Sequence, residues 1–331
     1  MTKPWSPVVT VVVPMLDEAG AIDECLDGFA AQTYPLDLID VVVVDGGSTD
    51  GSRDEVEARA RDTNWVRVVD NTRRRASAAF NRGVEAAKGD VICLFSAHGV
   101  PDPEYIEASV RTLQATGAAG VGGRYDHVGN DPVSSAIGRA MVSPFGMASP
   151  HRYASAARDV DTISHPAYLA SAMRKIGPFD ETLLRNSDYE FNHRMVEAGL
   201  RLAFDPSIGS VYRPRRSLYA LGRQFWWYGR WKARVVKRHP RSLKLRHLVP
   251  PAAVLSAAAA PLFLRTRSGR TVVAGGVVCY ASAVVAAVVH GTRGTANVDR
   301  RTLSLAFPIM HGAWGAGFVA SVIEDIVRGP A

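Results

Sequence analysis

Two stretches decide the fold: Val8-Val9-Thr10-Val11-Val12-Val13-Pro14-Met15-Leu16-Asp17-Glu18 and Ile39-Asp40-Val41-Val42-Val43-Val44-Asp45-Gly46-Gly47-Ser48-Thr49-Asp50-Gly51-Ser52. Each opens with a β-branched run suited to a strand buried on both faces, and each ends in a turn that bears carboxylates. Between them Ile22, Leu26 and Phe29 recur at helical spacing. A buried strand, an amphipathic helix and a second buried strand form the repeating unit of a parallel sheet. The pattern continues outward, with strands at Val66–Val69 and Val91–Phe95 and helix faces at Phe80, Val84, Ala87 and at Ile106, Val110, Leu113. The predicted fold class is therefore α/β, with helices covering a mostly parallel sheet. Open sheets of this kind bind ligands at the carboxyl ends of their strands, where Glu18 and Asp45 stand and can accept hydrogen bonds from a ribose or a base edge.

The charge distribution divides the 331 residues in two. Of the 32 acidic residues only Asp299, Glu324 and Asp325 follow Asp205, whereas 19 of the 39 basic residues do. An acidic first part would repel a nucleic-acid backbone, and the basic part is interleaved with long apolar runs, so anionic lipid headgroups fit better than nucleic acid. From Ser217 to Arg241 the sequence reads as one amphipathic helix, with Leu218, Leu221, Phe225, Tyr228 and Val235 on one side and Arg223, Arg230, Arg234, Lys237 and Arg241 on the other. Trp226, Trp227 and Trp231 flank the basic stripe, as expected of a helix in the headgroup layer. A solvated basic face on a helix packed against the preceding α/β domain is the alternative. Three apolar segments follow, Leu248–Leu264, Thr271–His290 and Leu303–Ile323. The second and third approach the ~20 residues that cross a bilayer. The first is read as a re-entrant, interfacial or short spanning piece. Cys25, Cys93 and Cys279 are too scattered for a disulfide framework and point to a reducing, cytoplasm-facing setting. Met1–Pro7 lacks the charged flank and apolar core of a secretory signal.

Pro14-Met15-Leu16-Asp17-Glu18 with Val43-Val44-Asp45-Gly46-Gly47-Ser48-Thr49-Asp50 resembles the donor-site signature of the family 2 inverting glycosyltransferases, which have the GT-A fold. The resemblance continues through Arg75 to Gly83, Phe95-Ser96-Ala97-His98, Gly177-Pro178-Phe179-Asp180 and Asn186-Ser187-Asp188-Tyr189-Glu190. With His98 and a C-terminal membrane region, the chain looks most like exopolysaccharide glucosyltransferases of the succinoglycan type.

The resemblance implies that Glu18 and Asp45 hold the nucleoside, that Pro14 and Leu16 line the base, that Arg75 approaches the base or diphosphate, and that Asn81 braces the loop. It implies Asp188 as the carboxylate that takes the acceptor's proton; the alternative is that Asp188 caps a helix starting at Tyr189, and both roles are compatible. Glu190 is a reserve. Asp50 is assigned mainly to capping. Where the family has Asp-x-Asp this chain has Ser96-Ala97-His98. Ser96 can still touch the ribose or sugar. His98 either ligates a divalent cation, with imidazole favouring Mn²⁺ over Mg²⁺, or replaces it as imidazolium. The polymer-threading synthases' Gln-x-x-Arg-Trp is incomplete here: Trp227 stands at the Gln position before Arg230-Trp231.

These readings predict a GT-A domain over 1–212, a basic interfacial helix over 213–247 and a membrane region over 248–331. The expected activity is inverting transfer from a nucleotide-sugar, a UDP-sugar by resemblance, to a polyprenyl-diphosphate-linked saccharide in extracellular polysaccharide synthesis. A divalent cation, Mn²⁺ or Mg²⁺, is the expected cofactor. His165, Arg230 and Trp231 are expected on the acceptor side, although a histidine before Pro166 is also read as structural. The protein is expected at the plasma (inner) membrane, with its catalytic domain cytoplasmic. The rival readings are direct transfer to a polyprenyl phosphate, as in dolichol-phosphate-mannose synthase-like proteins, and an inactive partner in membrane assembly. A dinucleotide-binding oxidoreductase is disfavoured, because the turn Pro14–Glu18 lacks Gly-x-Gly-x-x-Gly.

Overall fold

The computed structural model describes residues 5–146, 154–293 and 297–328. Its contacts divide the chain into one compact unit of residues 1–126 and 150–212 and a second of residues 127–149 and 213–331.

The first unit is a mixed sheet with helices. Strands β1 (Val9–Met15), β2 (Ile39–Asp45), β3 (Val66–Asp70) and β4 (Val91–Leu94) run parallel. They are joined through α1 (Ala21–Ala30), α2 (Ser52–Asp62) and α3 (Ala76–Ala86). The sheet then takes in β5 (Gly99–Pro101), β6 (Gly120–His127), β7 (Arg158–Val160), β8 (Ala167–Leu169) and β9 (Leu202–Tyr212). The strand order is β3-β2-β1-β4-β8-β6-β9-β5, with β7 on β9. The four parallel strands predicted from sequence are all present, each within two residues of its expected bounds. The later strands were not predicted: β5, β7 and β8, of three residues each, carry too little periodicity to register, and the longer β6 and β9 were passed over as well.

Alternation along β1 explains the burial on both sheet faces. Val9, Val11, Val13 and Met15 pack with Ile22, Leu26 and Phe29 of α1. Val12 joins Val42, Ile92 and Ala79 on the other face, together with Phe179, Phe191 and Met195. The exception in the strand, Thr10, is fully buried and satisfied: its hydroxyl bonds Asp40 and accepts from the Lys88 and Gly89 amides. On the second face lies α7 (Ser187–Glu197), whose Phe191 stacks on Phe179 at 4.1 Å and 18°.

The second unit gathers α5 (Pro132–Val142), α8 (Leu218–Arg238), α9 (Val249–Phe263), α10 (Arg267–Gly291) and α11 (Arg300–Arg328). In the first unit α4 (Tyr105–Thr116) and α6 (Ala170–Ile176) complete the helices. The helix predicted from Ser217 forms as α8, with the Ser217 hydroxyl accepting the Ala220 amide as its N-cap.

Two features of this unit depart from the sequence reading. The segment 127–149, expected in the catalytic domain, groups with the C-terminal helices, because α5 packs on α11 and Asp299 donates its amide to the Pro132 carbonyl. The apolar side of α8 is also not free for lipid. Leu221, Phe225, Trp231 and Val235 are buried, and α11 is the main packing partner. The helices meet backbone to backbone: a Cβ on Gly229 would stand 2.0 Å from the Trp314 carbonyl oxygen, and one on Gly317 would stand 2.2 Å from that of Trp226. Arg230 makes a two-pronged ion pair with Glu324 at 2.9 and 2.6 Å, and Lys237 reaches Asp325 at 3.3 Å. The acids that answer the basic stripe lie in α11, so α8 is sealed against a helix instead of lying open.

Both α10, with 25 residues, and α11, with 29, are long and apolar enough to cross a membrane. The most apolar stretch of α10 is wholly unburied, whereas 39% of that of α11 is buried within the protein. At 15 residues and ~1.5 Å per residue, α9 is about 22 Å long, short of a ~30 Å hydrocarbon core.

The crossing of α8 and α11 is testable. Gly317→Val must push the helices apart, and overpacking of this kind costs about 1–3 kcal/mol. A thermal scan in detergent should show a lowered Tm; an unchanged Tm would mean that the crossing tolerates a side chain.

Candidate active site

The site begins with strand register. Pro14 faces Val44 and Met15 faces Asp45, so the turns that leave β1 and β2 start side by side. Cross-bonds lace them together. Asp17, with φ 53°, accepts the Thr49 amide at 2.8 Å, and its own amide donates to the Ser48 hydroxyl at 3.0 Å. In return, Asp50 accepts the Ala19 amide at 2.8 Å, while its other oxygen takes the Ser52 amide and hydroxyl. Glu55 accepts the Gly20 amide. Gly51 is the N-cap of α2 and no side chain caps it, so the capping expected of Asp50 is not found: Asp50 closes a turn onto Ser52 and ties the two loops together. Asp17 has the matching task, which no local pattern in the sequence disclosed.

Between the laced turns, Leu16 remains exposed and Asp45 is buried. Asp45 accepts the Ser48 hydroxyl at 2.6 Å, the Ser48 amide at 3.1 Å and Arg53 at 3.1 Å. Burial would raise its pKa, but the Ser48 and Arg53 hydrogen bonds prevail and hold it below the usual carboxylate range. Arg53 also reaches Asp70 and Glu57 and so clamps the carboxyl ends of β2 and β3. Sequence reasoning passed over Arg53. Its only signal was its place one residue after the Asp50-Gly51-Ser52 turn.

Glu18 and His98, predicted for the nucleoside and the metal respectively, come together: Glu18 Oε1 is 3.0 Å from His98 Nδ1. Both side chains are partly exposed, at 28% and 36%, so the pair is accessible. An imidazole whose one nitrogen is held by a carboxylate is oriented to offer the other, which is how metal-binding histidines are commonly arranged. These residues fit a divalent cation of borderline softness. Ser96, two residues earlier, lies 2.9 Å from His165 Nε2. The structure thus joins His165 to the Ser96 end of the site.

A second group of contacts leads to Asp188. Asn81 donates to the Phe179 carbonyl at 3.0 Å and accepts the Phe179 amide at 2.8 Å, bracing the loop ahead of α7. Arg75 donates to the Glu181 carbonyl at 3.0 Å, and the Glu181 carboxylate pairs with Arg73 and Asn81. Hydrogen bonds from Asn81 and Arg73 outweigh desolvation and keep Glu181 acidic. Glu181, directly after the Gly177–Asp180 motif, is the counter-charge that sequence reasoning did not assign to the Arg73–Arg75 run.

The helix α7 starts at Ser187, two residues before the expected start, with Asn186 as N-cap at φ 60°. Asp188 therefore sits in the first turn. Desolvation raises its pKa against the opposing hydrogen bonds of the Tyr189 amide and its own. Its side chain is nonetheless exposed at the surface. This exposure to water limits the size of the shift. Burial, with the charge of Asp188 as a further cause, pushes the Tyr168 hydroxyl well above its ordinary value, which marks the two as near neighbours. Glu190, the reserve, is buried and bound through both oxygens to Arg194 at 2.7 and 3.1 Å.

Arg230 and Trp231 belong to the second unit. Arg230 is engaged by Glu324, and Trp231 is buried beneath Arg234, whose guanidinium lies 4.3 Å from the ring.

Residues 10–175 match the family described as glycosyl transferase family 2. The chain is 31% identical over 317 residues to the succinoglycan biosynthesis protein ExoA of Rhizobium meliloti (strain 1021), covering 95% of this chain and 94% of that one. It is 26% identical over 239 residues to a dolichyl N-acetyl-alpha-D-glucosaminyl phosphate 3-beta-D-2,3-diacetamido-2,3-dideoxy-beta-D-glucuronosyltransferase of Methanococcus voltae, covering 70% of this chain and 74% of that one. Its fold is similar to that of the mannosyltransferase PcManGT of Pyrobaculum calidifontis, solved with GDP-Man and Mn²⁺, at a TM-score of 0.65 and 19% identity over 98% of this chain and 89% of that one. A GT-A-like sheet that ends in two laced turns, and a relative matched along nearly its whole length, place this chain in glycosyl transferase family 2.

Proposed function

We propose that this glycosyltransferase moves a sugar, with inversion, from a nucleotide-sugar to a polyprenyl-diphosphate-linked saccharide in the synthesis of an extracellular polysaccharide. The observation that carries the reading is the Glu18–His98 contact beside the laced ends of β1 and β2, an accessible polar cradle at the sheet edge where a nucleoside diphosphate belongs. Pro14, Leu16, Glu18 and Asp45 hold the nucleoside of the donor, with UDP the expected one. Arg75, Ser96 and His98 face its diphosphate and sugar. When bound, a divalent cation held by His98 would neutralise charge on the departing diphosphate as a Lewis acid; imidazole chemistry, and the Mn²⁺ in the Pyrobaculum calidifontis mannosyltransferase, favour Mn²⁺ over Mg²⁺.

Asp188 is the base. The acceptor hydroxyl oxygen bonds to the anomeric carbon of the donor, its proton passes to the Asp188 carboxylate, and the bond from that carbon to the diphosphate breaks to release the nucleoside diphosphate. A saccharide acceptor is supported by the succinoglycan name of the Rhizobium meliloti relative, and a lipid-phosphate carrier by the dolichyl phosphate in that of the Methanococcus voltae relative.

The first unit supplies the donor chemistry, and the second is the membrane region. Because α11 covers α8, contact with lipid falls mainly to α10. The Arg213–Arg246 cluster holds this side at the cytoplasmic face of the plasma (inner) membrane.

Asp188→Asn should lower transfer by ~10²–10⁴ while leaving nucleotide affinity in place, because the carboxylate serves the acceptor. In the parent, transfer should fall as pH drops through a value above the ordinary carboxylate range, since the base must be ionised and its pKa is raised. The same raised pKa means that ionised Asp188 costs stability above it, so the variant should keep or raise the parent Tm. Parent-like turnover by the variant overturns the assignment. Product mass decides the acceptor: a lengthened lipid-linked saccharide supports the proposal, and a single sugar on a polyprenyl monophosphate supports direct transfer. Binding no nucleotide-sugar while associating stably with another transferase would leave only an assembly role.

In fractionation, the protein should sediment with membranes and resist carbonate and high-salt washing, because α10 is held by apolar contact. Release of the intact chain by salt would mean that it only adheres to the surface.

A further inference from the structure

Beside the end of β4, the ring of His165 is held by two aromatic rings and two hydroxyls. Its backbone takes φ 41° ahead of Pro166, a positive value that is uncommon outside glycine, although His, Asn and Asp adopt it more often than other residues do. Tyr105 donates its hydroxyl to the His165 carbonyl at 2.8 Å. The ring centroid lies 4.0 Å from that of Phe95 at 33° and 4.4 Å from that of Tyr125 at 67°. Both nitrogens meet serine hydroxyls, Nε2 with Ser96 and Nδ1 with Ser210, each at 2.9 Å.

The direction of these bonds follows from the far end. The Ser210 hydroxyl donates to the Arg124 carbonyl at 3.3 Å, and a carbonyl can only accept. With the Ser210 proton on that carbonyl, Ser210 Oγ accepts from His165 Nδ1, an assignment of hydrogen position made from the heavy-atom geometry. A neutral imidazole protonated at Nδ1 has a bare Nε2, which takes the proton of Ser96. The Ser96 oxygen is left with lone pairs and no proton to offer. It stands where the family pattern has the first carboxylate of Asp-x-Asp.

We propose that His165 is a positioning residue that turns Ser96 into an acceptor-only oxygen, a neutral stand-in for a carboxylate oxygen, aimed at an electron-poor partner on the donor. That partner is a ribose hydroxyl or the cation on the diphosphate. The inference rests on the donor-site reading above, and it explains the strained backbone of His165: the strain holds the ring where it can keep the Ser96 proton. Ser96→Asp supplies an acceptor by itself and therefore removes the need for His165.

Two measurements test it. In the parent, with ¹⁵N-labelled histidine and full-length protein in detergent, NMR at neutral pH should show His165 as the neutral Nδ1–H tautomer, with the resonance assigned from its loss in His165→Asn. An Nε2–H tautomer or an imidazolium overturns the proposal, whether or not any variant folds. In calorimetry with UDP and GDP, Ser96→Ala and His165→Asn should each weaken binding of whichever nucleotide the parent takes by about tenfold, and together by no more than either alone. In a Ser96→Asp background, His165→Asn should have little further effect. Weakening seen only with Mn²⁺ identifies the cation as the partner, and weakening that persists in chelator identifies the ribose. Additive losses, or none, overturn the inference. If the parent binds neither nucleotide, the donor-site reading fails, and the tautomer still decides the role of His165.

Discussion

The pairing of Met15 with Asp45 in parallel register is the constraint on which the site depends. A shift of one residue would turn every side chain of β1 to the opposite face of the sheet. Val9, Val11 and Val13 would leave the α1 side, and Pro14 to Glu18 would no longer begin opposite Asp45. Burial on both faces makes such a slip prohibitive, so the core that stabilises the sheet also sets the place of the carboxylates. The lacing by Asp17 and Asp50 then holds two turns that share no helix or strand of their own. Asp17, Asp45 and Asp50, the aspartates of the signature, hold these turns in place.

The carboxylates of the first unit fall into distinct electrostatic settings. Asp45 and Glu181 are surrounded by donors that overcome desolvation and keep them ionised. Asp188 meets fewer donors, and desolvation prevails. Carboxyl groups pushed in opposite directions within one region are a feature that functional sites commonly show. Glu190, two residues further along α7, has both of its oxygens bound by Arg194.

In the second unit the organising contact is the close crossing of α8 and α11. Two glycines allow the backbones to approach, and Glu324 and Asp325 meet Arg230 and Lys237 at one end. Arg230 and Trp231 therefore have structural partners of their own. The apolar stripe that marks α8 as amphipathic is answered by another helix of the same chain, whereas the most apolar stretch of α10 is unburied.

The sequence by itself determined the parallel sheet, the ends of its strands and the residues at those ends, because β-branched runs and helical periodicity are local signals and the carboxylate turns follow them directly. It also determined α8 and the two long apolar helices, for the same reason. What it could not determine is which side chains meet across long separations. Glu18 and His98 are 80 residues apart, Ser96 and His165 are 69, and Arg230 and Glu324 are 94. An isolated histidine or a basic stripe reads alike whether its partner is a ligand, a lipid or a distant residue of the same chain. Only the tertiary structure decided that His165 braces Ser96, that Arg53 clamps Asp45, and that α8 is covered by protein. Hydrogen-bond direction and packing depend on positions in space, and chain order alone does not contain them.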